Sequence, residues 1–168
     1  MENKNAIIFA IVAIVLGLII VGVAIYYYFF LLKEPTQQVL SESLFTNSDG
    51  KYSFKYPSVW QAAINQYNKN NSLFGPGANS GSGAGGVEVF DGTSIDDFLK
   101  GVDATYSDKV DITVSGVKGI YTHYNGFPLS GVQSVLFKDN KIYNIYINSE
   151  DAEQIRLFNQ LLLSFKFL

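Results

Sequence analysis

The sequence predicts an α+β protein: an N-terminal transmembrane helix followed by an antiparallel β-sheet flanked by helices. Three observations carry that expectation. Residues 6–32 contain no charge, residues 51–148 are dominated by period-two alternation, and two segments repeat apolar residues at the i, i+3, i+4, i+7 spacing of an amphipathic helix.

The first element reads AIIFAIVAIVLGLIIVGVAIYYYFFLL and lies between Lys4 and Lys33-Glu34. Eighteen of its positions are Ile, Val, Leu or Phe. At about −0.3 to −0.6 kcal/mol each near the bilayer centre, their sum is roughly −5 to −10 kcal/mol. At about 1.5 Å per residue the helix crosses a hydrocarbon core of ~30 Å with room for tilt. A cleaved leader has a shorter apolar stretch of about 7–15 residues and ends in small residues. This run ends in Tyr26-Tyr27-Tyr28-Phe29-Phe30, which suits an interfacial aromatic belt. The chain has no cysteine, so neither a lipidated cysteine anchor nor a disulfide is available.

The expected organisation is therefore a short tail (1–5), a membrane span (6–32), a polar stalk (33–46) and one domain (47–168). Flanking charges are nearly balanced, so the orientation rests on the shortness of the tail. The expected location is the cell membrane, single-pass, with the tail cytoplasmic and the domain extracytoplasmic. Beyond Pro35 the chain holds ten Lys/Arg against thirteen Asp/Glu. A weakly acidic surface argues against a nucleic-acid partner, which needs clustered positive charge.

Within the domain, Lys51-Tyr52-Ser53-Phe54-Lys55-Tyr56 puts three aromatics on one face of a strand. In 109–115 the same device turns Val110, Ile112 and Val114 inward. Further strands are expected at 59–64, 87–90, 117–124, 131–138 and 141–148. The last two are joined by Asp139-Asn140, a two-residue hairpin of residues that tolerate left-handed backbone. One helix starts at Thr93-Ser94 and carries Ile95, Phe98, Leu99 and Val102, with Ser94 and Asp97 resembling a capping box. A second runs from Asp151 to Ser164 with Ile155, Phe158, Leu161, Leu162 and Phe165 as its stripe. Both helices are expected on one face of the sheet.

Residues 75–86, GPGANSGSGAGG, predict a flexible glycine-rich loop. Glycines 81, 83 and 86 satisfy G-x-G-x-x-G, but that motif needs a helix opening at its end, and Val87-Glu88-Val89-Phe90 reads as a strand.

Few groups here could do chemistry. There is no thiol, and His123 is the only histidine, expected in a strand between tyrosines. Asp96, Asp97, Asp103, Asp108 and Asp111 lack calcium-loop spacing and read as a solvated acidic face. No catalytic, cofactor or metal site is predicted. The unusual feature is aromatic content, with eleven Tyr and thirteen Phe. Strand 141–148 is apolar on both faces, with Tyr143, Ile145 and Ile147 on one and Ile142 and Tyr146 beside Asn144 on the other. It is either central and covered twice or faces a partner. Tyr124, Phe127 and Leu129, around a turn, together with Tyr146, form the candidate partner surface.

The opening Asp49-Gly50-Lys51-Tyr52-Ser53-Phe54-Lys55-Tyr56-Pro57-Ser58-Val59-Trp60 and the closing Ser164-Phe165-Lys166-Phe167 resemble the two ends of PsbP-like domains. That resemblance spans residues ~47–168 and implies an α/β/α sandwich that acts as an adaptor or ligand-binding module without a catalytic centre. Plant members assist the photosynthetic oxygen-evolving complex, but no functional residue here matches to carry that role over. The expected function is a membrane-anchored, non-enzymatic module that binds a protein partner or small ligand, the bilayer being contacted through residues 6–32. The alternatives are a structural component of an envelope assembly or a carboxylate-based hydrolase.

Overall fold

The computed structural model describes residues 41–76, 84–126 and 129–168. Residues from Leu40 to Leu168 form one compact unit. The apolar run 6–32 lies outside the described residues, and among the described ones no helix is long and apolar enough to cross a membrane.

The described residues form ten strands and two helices in the order β1 (Glu42–Asn47), β2 (Tyr52–Pro57), β3 (Gln61–Ile64), β4 (Ser72–Gly75), β5 (Gly85–Asp91), α1 (Ile95–Gly101), β6 (Thr105–Val114), β7 (Val117–Asn125), β8 (Ser130–Lys138), β9 (Lys141–Ile147), α2 (Ala152–Ser164) and β10 (Lys166–Phe167). They build a mostly antiparallel β domain with two helices. One sheet has the order β1-β2-β10 and the other β3-β4-β5-β9-β8-β7-β6.

Alternation in β2 places Tyr52 and Phe54 in the core, both fully buried, with Tyr56 packed at its edge. Pro57 ends the strand, and the Trp60 amide bonds back to the Pro57 carbonyl at 2.8 Å. That turn delivers the Trp60 ring onto Phe74, stacked at 5.9 Å. The main core continues through Phe158 and Leu161 of α2 and Phe165, just past its end, to Val87, Val132, Leu136, Ile145 and Ile147. Each such side chain contributes about 1.5–3 kcal/mol by leaving water. This core fills the space between the small sheet with α2 and one face of the large sheet.

The other face of the large sheet carries a second, smaller cluster. Val135 and Ile142 meet Leu99, with Ile95, Phe98, Ile120 and Phe137 around them. The two helices therefore lie on opposite faces, which corrects the expectation of a single helical face. The reason is that β8 and β9 are apolar on both sides, so each side needs cover. β9 lies between β5 and β8, as its two-sided pattern requires.

Local signals fixed the punctuation. Asp139 and Asn140 both adopt left-handed backbone, at φ 53° and 58°, the conformation that a two-residue hairpin turn demands. Ser94 caps α1 by accepting from the Asp97 amide at 3.1 Å, and its hydroxyl donates to Asp97 Oδ2 at 2.7 Å. Asp151 caps α2 by accepting from the Gln154 amide at 2.9 Å.

Four expectations need correction. Residues 42–46, assigned to the stalk, are the body of β1 and pair with β2 from Glu42↔Pro57 to Asn47↔Tyr52. β4 was not expected. Gly75, Gly85 and Gly86, assigned to the glycine-rich loop, lie within β4 and β5, and residues 77–83 of that loop lie outside the described residues. Val110 is 55% exposed because a bulge shifts the β6–β7 register between Ser107 and Val110, with Asp108 at φ 52°.

Candidate functional site

Beside the Leu99 cluster, against which Tyr106 packs, the outer sheet face is polar and aromatic among the described residues. Register alone puts its members side by side. Glu88 pairs with Asn144, Gly86 with Tyr146, Tyr146 with Gln133, Gln133 with Thr122, Gly131 with Tyr124, and Tyr124 with Tyr106. Directly paired residues of antiparallel strands share a face, so these groups form one continuous layer across five strands. Gly86 is needed there: a Cβ would stand 2.9 Å from the Ser72 carbonyl and 3.1 Å from Tyr146 Oη.

Tyr146 Oη lies 3.5 Å from Glu88 Oε1. Tyr124 Oη donates to Asn148 Oδ1 and lies 3.4 Å from the Ile147 carbonyl. Burial pushes the Glu88 carboxyl above the ordinary carboxylate range, while the Asn144 amide and Tyr146 hydroxyl oppose that shift. Burial also raises Tyr146, and the adjacent Glu88 raises it further. Tyr124 is raised by burial, then by Tyr146, Glu88 and Tyr106. Tyr106 is raised by burial and held back by the Gln133 amide. The phenols therefore stay protonated as hydrogen-bond donors around one carboxyl group.

Two amide atoms in this layer make no hydrogen bond of normal length: Gln133 Nε2, which faces the Tyr106 hydroxyl from beyond that length, and Asn144 Oδ1, on residues only 5% and 7% exposed. Buried polar atoms are nearly always paired, so an unpartnered donor and acceptor on neighbouring strands set this layer apart from an ordinary sheet face.

A cleft of about 570 Å³ lies at the β6–β7 edge, lined by Tyr106, Tyr124, His123, Asn125, Glu150 and Ile155. His123 and Asn125 alternate with Tyr124 along β7 and so point to the opposite face of the sheet from the layer. Ser130 Oγ holds Glu150 Oε1 at 2.8 Å. His123 is exposed and lies edge-on to Tyr121 at 6.3 Å.

Of the sequence-selected surface residues, Tyr124 and Tyr146 come together in the layer, each half-buried. Leu129 stands apart at the β7–β8 turn, 38% exposed, and Phe127 lies outside the described residues. Glu88, Asn144, Gln133 and Tyr106 were not selected. Their signal was a polar residue inside an apolar strand, Val87-Glu88-Val89 and Tyr143-Asn144-Ile145, which gains meaning only once the strands are known to be neighbours. The acidic residues Asp96, Asp97, Asp103, Asp108 and Asp111 are all exposed. Among the described residues no group of three or more His, Cys, Asp or Glu is placed to hold a metal ion.

The class defined so far is a mostly antiparallel β domain with two helices and a tyrosine-lined polar layer. No protein-family model matches the chain, and no curated protein matches it. Among solved structures, the solution structure of cyanobacterial PsbP (CyanoP) from Synechocystis sp. PCC 6803 is similar at 15% identity and a TM-score of 0.49, covering 81% of this chain and 98% of that one. A crystal structure from Bacteroides thetaiotaomicron VPI-5482 is similar at 15% identity and a TM-score of 0.44, covering 74% of this chain and 48% of that one. Neither likeness transfers a residue role, a ligand or an activity.

Proposed function

We propose that this chain is a membrane-tethered, PsbP-like module whose domain lies outside the cytoplasm and binds a partner or small ligand on the tyrosine layer. The observation that carries the reading is the pair of unpartnered amide atoms on Gln133 and Asn144, set among Tyr106, Tyr124, Tyr146 and Glu88. The tether is supported by the uncharged run 6–32. The PsbP-like architecture is supported by the sequence ends: Tyr52, Phe54 and Trp60 at the opening and Phe165 at the close are all core residues.

A binding role is favoured over hydrolysis by the company that Glu88 keeps. Paired-carboxylate hydrolysis places a second carboxyl about 5–10 Å from the first. The named neighbours of Glu88 are an amide and phenols, Asn144, Tyr146 and Tyr124.

The test uses the full chain in lipid nanodiscs, incubated with membrane and soluble fractions of its host cell. The wild type is expected to retain a defined partner or small molecule that the Tyr124→Ser/Tyr146→Ser variant loses. Equal retention by both, with the variant folded by circular dichroism, refutes the site. Protease access to a C-terminal tag on intact cells tests the orientation; a tag protected until the membrane is opened refutes it.

A further inference from the structure

The layer's own chemistry narrows what it binds, and this step rests on the binding reading above. Its one ionisable acid is Glu88, with Tyr146 Oη 3.5 Å from its Oε1. Beside it stands an acceptor without a donor, Asn144 Oδ1, and two strands from β5 a donor without an acceptor, Gln133 Nε2. Both amide side chains are more than nine-tenths buried and belong to the same face as Glu88. Three phenol rings surround these groups, and aromatic faces attract cations. The Tyr106 ring already has one near it, the Lys109 ammonium at 5.7 Å from its centroid.

We propose that the layer binds a small organic cation in which an ammonium group neighbours a carbonyl oxygen. The ammonium donates to Glu88 and to Asn144 Oδ1, and the carbonyl accepts from Gln133 Nε2. The match is complementary at each atom. An anion would face the Glu88 carboxylate, and a neutral amide would leave that carboxylate without a counter-charge in a half-desolvated place. Lys109, on the bulged edge strand β6, is a competing cation beside the Tyr106 ring. The same chemistry occurs in a free amino amide and at the amino end of a peptide.

The probes are glycinamide, with ammonium and carbonyl together, acetamide as its neutral counterpart and acetate as its anionic one. Triglycine amide separates the two sources. With the full chain in nanodiscs at pH 7, titration is followed through the side-chain amide resonances of Gln133 and Asn144. Glycinamide is expected to shift both in a saturable way, and Glu88→Gln is expected to weaken that binding at least tenfold. Triglycine amide binding equally well assigns the site to peptide amino ends; glycinamide binding alone assigns it to a free small cation. Acetamide or acetate shifting these resonances while glycinamide does not overturns the cation class and leaves the binding site standing. Unchanged affinity in Glu88→Gln also overturns it. Silence from all the probes, together with equal retention by wild type and the double tyrosine variant, removes both readings.

Discussion

Asn47→Ala is expected to be among the most damaging single changes outside the aromatic core. Asn47 is fully buried at the end of β1. Its Oδ1 accepts from the Gly50 amide at 2.8 Å, and its Nδ2 donates to the Lys69 carbonyl at 2.9 Å and to Tyr52 Oη at 3.1 Å. A longer contact reaches the Asn71 carbonyl at 3.4 Å. Tyr52 Oη in turn donates to Ser72 Oγ at 2.9 Å, so one amide joins the β1–β2 turn to the approach to β4. Truncation removes two donor bonds of about 1 kcal/mol each and leaves the buried Gly50 amide unpaired at about 1–3 kcal/mol. The expected loss is about 3–5 kcal/mol, or roughly 10–20 °C in Tm for a unit of this size. Tyr52→Phe, which removes one hydroxyl from the same network, is expected to cost about 1–2 kcal/mol. Chemical denaturation of the full chain in nanodiscs, followed by far-ultraviolet circular dichroism, measures both. Gln160→Ala on the exposed side of α2 is the control, expected within about 0.5 kcal/mol of wild type. An Asn47→Ala loss no larger than that control would refute the hub.

Other expectations are independent of this one. Glu88 has a raised pKa in the folded protein, so the folded state binds more protons than the unfolded state just above the ordinary glutamate range. Stability from this group is therefore present at low pH and lost as pH rises through the folded value. Glu88→Gln should match wild type near pH 4 and exceed it at pH 8, and identical pH–stability curves would contradict the burial argument. Tyr52 is pushed up to about 12 by burial, so its contribution is intact below pH 10 and falls between there and pH 12; Tyr52→Phe should show a shallower alkaline slope than wild type in circular dichroism, the other raised tyrosines supplying the remainder. Gly119→Ala puts a Cβ 2.3 Å from Leu136 Cδ2 and 2.5 Å from the Val135 carbonyl, and should cost about 1–3 kcal/mol by denaturant titration. Asn140→Val forces a β-branched residue into left-handed backbone at φ 58° and should cost about 1–2 kcal/mol by denaturant titration.

The features legible in the sequence are those set by near neighbours. The alternation of β2, the Asp139-Asn140 turn and the Ser94 cap of α1 each depend on a few consecutive residues, and each is where the pattern put it. β1 was concealed because its exposed residues include Leu44 at 69% and its most buried one is Asn47, the reverse of a simple hydrophobic pattern. β4 is only four residues long and follows an asparagine-rich stretch that reads as loop. Val110 failed because a bulge moves the register, which no local count of apolar residues registers. The candidate site divides the same way. Tyr124 and Tyr146 stood out by composition, whereas Glu88, Asn144 and Gln133 become one group only through the order β5-β9-β8.

β2 is flanked by the first and the last strands of the domain, and Ser164 Oγ also accepts from the Lys55 amide across 109 residues of chain. During synthesis at about 5–20 residues per second, Tyr52 and Phe54 wait roughly 5–20 s before Phe165 arrives to close over them. A nascent chain thus carries an open aromatic seam until Phe165 and β10 have left the ribosome. Any holding factor that meets this polypeptide has that interval in which to act.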